Sequence, residues 1–189
     1  MTNIKNLSLI VAFAHGVGAP SNFGWMIRWK EMQGKALNAV KVVTFEYPYL
    51  AGGKKGSPPK AEKLVDFHVD IVVSCMVASR DDISASAIVC LGYPLKGMNG
   101  AIRDEILVQL TIPIMFVQGS KDGLCPQDNL KAVQKRIKPN NDLHVIEGGD
   151  YSFKIVKKHL QASETTQMDA EEFAVQSIAS FVSHSLLQS

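Results

Sequence analysis

Ile112-Pro113-Ile114-Met115-Phe116-Val117-Gln118-Gly119-Ser120-Lys121-Asp122 is the stretch that decides the fold. From Ile112 to Gln118 it is apolar almost throughout, too short for a helix, and closed by glycine and a polar turn. That is the composition of a parallel strand covered on both faces. Working outward, Leu7–Phe13, Lys41–Tyr47, Ala87–Leu91 and Asp142–Ile146 read as four further strands. Helical spacing fills the intervals. Trp25, Trp29 and Met32 mark one face of a helix ending near Asn38. Leu64, His68, Ile71, Val72 and Cys75 mark a long helix that starts near Lys60 and ends at Asp81-Asp82. Asp128–Ile137 forms another. The last begins at Asp169, whose spacing to Glu172 fits a capping box, and presents Phe173, Ile178, Phe181, Val182 and Leu186 to the core. Regular strand–helix alternation predicts an α/β fold: a three-layer, doubly wound, mostly parallel sheet with right-handed crossovers. No repeat or long linker divides the chain, so residues 1–189 are expected to form a single domain.

Composition narrows the function classes. Apolar residues make up 46% of the chain, enough for a full core. Twenty basic against 18 acidic residues leave a formal charge of +2, and the lysines and arginines are scattered. No nucleic-acid partner is expected from that distribution. The densest basic stretch, Lys54, Lys55, Lys60 and Lys63, lies on a Gly/Pro loop and helix start and reads as solvated surface. No apolar run approaches the ~20 residues that span a bilayer, so no membrane partner is expected. Leu7–Ala14 also fits a short signal-peptide core, but its flanking charge is weak and His15-Gly16 follows at once, which favours a buried strand. Three cysteines without close pairing point to a reducing compartment, hence the cytoplasm.

Two motifs carry chemistry. His15-Gly16-Val17-Gly18 follows the first strand and precedes a helix, the arrangement of an oxyanion loop whose exposed N–H groups stabilise a developing negative oxygen. Asp122 follows the fourth strand, where an acid that orients a histidine would stand; by itself it also fits a turn aspartate. Between these two corners a nucleophile elbow, Gly-x-Ser-x-Gly, is required, and the sequence contains none. His144, His159 and His184 have no partners at metal-ligand spacing, so no metal and no cofactor are expected.

Five stretches together carry a resemblance: Phe13–Pro20, Thr44–Tyr49, Cys90–Leu95, Met115–Asp122 and Gly148-Gly149-Asp150. The chain resembles the α/β-hydrolase-like proteins grouped with the third regulatory subunit of the NSL complex and testis-expressed protein thirty, relatives of the dienelactone hydrolases. The resemblance implies a Ser-His-Asp site, a small ester or acyl substrate, a small-molecule or protein partner, and a nuclear role in some members. It also defines two departures. Roughly two dozen residues holding a central strand and the elbow are missing between Ile71-Val72 and Val73-Ser74-Cys75. Tyr151 stands where the family has its histidine.

The expectation is therefore an α/β-hydrolase-like scaffold lacking one central strand, with chain-order neighbours 2-1-3-4-5. Asp122 and Tyr151 hold vestigial triad positions beside the His15, Gly16, Val17 and Gly18 loop. A phenol with an ordinary pKa near ~10 is a poor base at neutral pH, whereas imidazole near ~6.5 suits the task. Ser74 is the substitute nucleophile to consider, but Val72 and Met76 crowd the positions where an elbow needs small residues. The reading favours a pseudoenzyme that binds a small molecule or protein; the alternative is an active esterase with a relocated nucleophile.

Overall fold

A computed structural model of the chain describes residues 10–13, 24–44, 85–97 and 100–188. The chain divides into two compact units, Met1–Ile71 and Val72–Ser189. In the first, strand β1 (Ile10–Phe13) pairs in parallel with β2 (Lys41–Thr44), and helix α1 (Gly24–Ala36) connects them. In the second, β3 (Ile88–Leu91), β4 (Ile114–Gly119) and β5 (Asn141–Ile146) form a parallel sheet in the order β3-β4-β5. Short α2 (Glu105–Gln109) precedes β4 and α3 (Gln127–Gln134) links β4 to β5. After β5 come α4 (Lys157–Ala162) and the long α5 (Gln167–Gln188). The strand neighbours within each unit are the 2-1 and 3-4-5 neighbours expected from the sequence. The long helix expected from Lys60 lies outside the described residues.

All six residues of β4 are buried, as a strand covered on both faces requires. Burying the Phe116 ring alone stabilises by about 1.5–3 kcal/mol. Leu130 and Val133 of α3 and Ala174, Val175 and Ile178 of α5 complete this core, and α5 packs on β5 and β4.

Local expectations are revised in three places. Helix α1 buries Met26, Trp29 and Gln33, leaving Trp25 and Met32 half-covered, so the inward face is rotated from the one the tryptophans suggested. Its end is a Schellman arrangement: Asn38 takes φ 47°, its N–H reaches Lys35 O at 3.2 Å, and Ala39 N–H reaches Gly34 O at 3.1 Å. The capping box of α5 is Thr166 with Asp169, not Asp169 with Glu172. Asp169 N–H donates to Thr166 Oγ1 at 3.1 Å, and Thr166 N–H donates back to the Asp169 carboxylate at 2.9 Å. Thr166 wins because its hydroxyl can both accept and donate there. Phe173 is 69% exposed rather than buried, its ring lying against His144. Helices α2 and α4 were not foreseen; both are short.

Candidate functional site

The carboxyl ends of β3, β4 and β5 carry the chemistry-bearing loops of the second unit. At the end of β4, Asp122 N–H bonds to Gly119 O at 3.1 Å, turning the chain so that the Asp122 side chain points back into the protein, where it is 5% exposed. Both of its carboxylate oxygens have donors. Leu124 N–H donates to Oδ1 at 2.8 Å, and the Gln118 carboxamide donates to Oδ2. Gln118 is fully buried in the strand, and its own Oε1 accepts from Tyr93 N–H at 3.0 Å. One side chain therefore ties the loop after β3 to the acid after β4.

The loop after β5 is brought against the acid by glycine. A Cβ added to Gly119 would lie 2.3 Å from both Gly149 O and Asp150 O, so the two loops meet backbone to backbone. Lys121 N–H then reaches Gly149 O at 2.8 Å, and Ser120 Oγ accepts from Gly148 N–H at 2.8 Å. Gly148 itself has φ +74° and lies beneath the His159 ring, which excludes any side chain. Beyond it the chain makes a tight reversal with Tyr151 near its tip, closed by a bridge between Gly149 and Ile155. Asp150 Oδ1 accepts from Ser152 N–H at 2.8 Å and Lys154 N–H at 2.9 Å. Phe153 takes φ 64°, a costly conformation for a bulky residue, and is held there by its buried ring and by Gln167. Gln167 donates to Phe153 O at 2.9 Å and accepts from Ile155 N–H at 3.0 Å.

Electrostatics follow from this packing. Burial pushes the Asp122 carboxyl above its ordinary value of 3.8; the donors from Leu124, Gln118 and Cys125 pull it back, and Asp150 adds repulsion. Among the described residues, none of the groups that set its ionisation is a histidine. Tyr151, 42% exposed, is raised above 10.0, first by burial and then by the negative charge of Asp122. It therefore stays a neutral phenol at physiological pH, a hydrogen-bond donor and acceptor rather than a base. Cys125, nearly fully covered, is pushed up to about 12 by burial, so its thiol stays protonated and is no nucleophile.

Asp122 and Tyr151 thus share one end of the sheet, close enough for the aspartate to act on the phenol. His15, Gly16, Val17, Gly18 and Ser74 lie outside the described residues. Cys90 is a buried strand residue. Gln118 is the contributor that the sequence reading passed over; an amide inside a run as apolar as β4 was the available signal. Among the described residues, two open clefts lie elsewhere. One of about 440 Å³ is lined by Ile27, Lys30, Lys41 and Thr44, and one of about 350 Å³ by Asn140, Asp142, Ser177 and His184. Among the described residues no helix is long and apolar enough to cross a membrane.

A family described as "Alpha/beta hydrolase domain" matches residues 72–183, nearly the whole of the second unit. Solved structures agree on the fold across most of the chain. An alpha-beta serine hydrolase homologue from Coxiella burnetii is 16% identical with a TM-score of 0.56, covering 90% of this chain and 85% of that one. A candidate dienelactone hydrolase from Klebsiella pneumoniae subsp. pneumoniae is 14% identical with a TM-score of 0.54, covering 92% and 86%. A cold-adapted esterase from an Arctic intertidal metagenomic library is 12% identical with a TM-score of 0.53, covering 91% and 82%.

Proposed function

This chain belongs to the alpha/beta hydrolase domain family, and from that premise we propose that it is a hydrolase scaffold without hydrolase chemistry, kept as a binding module. The observation that carries the reading is the pairing of Asp122 with Tyr151. The acid of a triad is present, buried and held, and the residue set against it is a phenol that remains neutral. Both oxygens of Asp122 are committed to Gln118 and Leu124, so the acid serves the fold. The sequence supplies no Gly-x-Ser-x-Gly to attack a carbonyl. Nucleophile and base act as a unit, and losing both leaves no partial triad activity to build on.

On this reading residues 1–189 form one hydrolase-like domain whose former active-site end, around Tyr93, Asp122 and Tyr151, receives a small uncharged molecule or a protein segment. The finer kinship with the NSL-subunit group rests on the five stretches Phe13–Pro20, Thr44–Tyr49, Cys90–Leu95, Met115–Asp122 and Gly148-Gly149-Asp150. It favours a protein partner, in the cytoplasm or the nucleus. The reading gives no role to a metal, cofactor, nucleic acid or membrane.

Fluorophosphonate labelling of the purified chain, read by intact mass and peptide mapping beside a thermal melt, tests the proposal. We expect no adduct on a cooperatively folded protein. A stoichiometric adduct on Ser74 or Ser120 overturns it and establishes an esterase with a relocated nucleophile.

A further inference from the structure

We propose that the outer edge of β5 pairs antiparallel with the same edge of a second copy of this chain, about a two-fold axis at Leu143. β5 is the last strand of its sheet and pairs with β4 on one side. The rungs from Ile114 N–H to Asn140 O at 3.1 Å and from Ser120 N–H to Ile146 O at 3.0 Å set its parity. Even-numbered backbone groups of β5 face β4, and those of Asn141, Leu143 and Val145 face away. Among the described residues no strand pairs with that outer side. Leu143 N–H is capped instead by the neighbouring Asp142 Oδ1 at 2.8 Å, the mark of an edge without a strand partner. The edge sequence Asn141-Asp142-Leu143-His144-Val145 has no proline or lysine to block pairing.

Hydrogen-bonding complementarity selects both the occupant and the register. Burial lowers the His144 pKa from its ordinary 6.5, with Asp142 opposing the shift, so the imidazole is a neutral N–H donor for a carboxylate. With the axis at Leu143, that residue faces its own counterpart and Asn141 faces Val145, and these pairs exchange backbone hydrogen bonds. Asp142 then stands opposite His144 of the second copy, and by symmetry His144 opposite Asp142. Both pairs occupy non-hydrogen-bonded positions, where facing side chains come closest. Shifting the axis to Asp142 sets carboxylate against carboxylate; shifting it to His144 sets imidazole against imidazole. Only the Leu143 register matches an imidazole donor with a carboxylate acceptor twice. Each Asp142 exchanges the N–H of Leu143 for an imidazole N–H, and Leu143 N–H gains a carbonyl, so no polar group is orphaned. Phe173, largely exposed with its ring centroid 5.5 Å from that of His144, flanks the pair and would be covered with it.

Sedimentation velocity over a concentration series of the full chain tests this. We expect a reversible dimer. Asp142→His, which sets histidine against histidine, should weaken it about tenfold or more. The swap Asp142→His with His144→Asp should restore it, an outcome that a merely structural role for either residue does not produce. Hydrogen exchange of the wild-type chain at low and high concentration provides a readout independent of any variant: the Leu143 and Val145 amides should gain protection on association. A monomer at every concentration overturns the proposal. So does a dimer indifferent to Asp142→His, a swap that fails to restore pairing while the variant melts cooperatively, or Leu143 and Val145 amides that stay unprotected in the dimer.

Discussion

The loops after β4 and β5 meet backbone to backbone, yet they differ in what they preserve. The β4 loop keeps an acid with every oxygen satisfied, anchored by a buried glutamine to a third loop. The β5 loop is held as firmly, by Gln167, by the Asp150 side chain and by the buried ring of Phe153, and it presents the Tyr151 phenol. Packing and hydrogen bonding thus fix the geometry of both corners, whereas on the proposed reading chemistry depends on one side chain at one of them. On the proposed reading the scaffold stays intact while its reaction is lost, because many groups share the work of holding the loops and a single group would do the proton transfer.

The largest perturbation should come from the point where the two loops touch. Gly119→Ala places a methyl 2.3 Å from two backbone oxygens that cannot move aside independently. We expect a loss of ~3 kcal/mol or more in urea denaturation, with disturbed resonances in both loops. An effect below ~1 kcal/mol would mean that the loops are not locked together.

Breaking the acid corner alone should cost less. Asp122→Ala orphans the buried Gln118 amide and Leu124 N–H, for an expected ~2–3 kcal/mol. Asp122→Asn should be milder and isolates the charge. Because burial raises the Asp122 pKa, the folded state holds that proton to higher pH than the unfolded state does. Its contribution to stability is full below the ordinary 3.8 and is lost as pH rises through the raised value. The stability of the wild type relative to Asp122→Asn should therefore fall across that window; a rise would contradict the burial argument.

The Tyr151 corner should answer spectroscopically. Absorbance titration should place Tyr151 ionisation above 10.0, and Asp122→Asn should bring it down, since removing the carboxylate charge favours phenolate. An unchanged midpoint would separate the two corners electrostatically. The smallest expected effect is that of Tyr151→His, within about 1 kcal/mol of wild-type stability at this partly exposed tip. Ester hydrolysis should stay at the buffer rate, because the base returns without a nucleophile. Measurable turnover would show that the comparison turns on Tyr151 alone.

Much of the frame was legible in the chain. The run Ile114–Gly119 reads as a strand because a parallel strand covered on both faces must be apolar, and its closing glycine and Asp122 follow directly. What escaped reading were choices between equivalent local patterns. Thr166-x-x-Asp169 and Asp169-x-x-Glu172 both satisfy a capping box, and only the fold's exit from α4 selects the first. Phe173 fits the apolar stripe of α5, but the helix turns Ala174, Val175 and Ile178 inward and leaves that ring beside His144.

The sequence by itself determined the alternation of strands and helices and the lack of a Gly-x-Ser-x-Gly motif, since these depend on residue type and short-range spacing. Only the tertiary structure decided that Gln118 fixes Asp122, that Gly119 locks two loops together, and that among the described residues no strand pairs with the outer edge of β5. Those outcomes depend on groups that meet across the fold, such as Gly119 with Asp150 and Tyr93 with Gln118, and the burial that raises Asp122 and Tyr151 arises only where such segments pack.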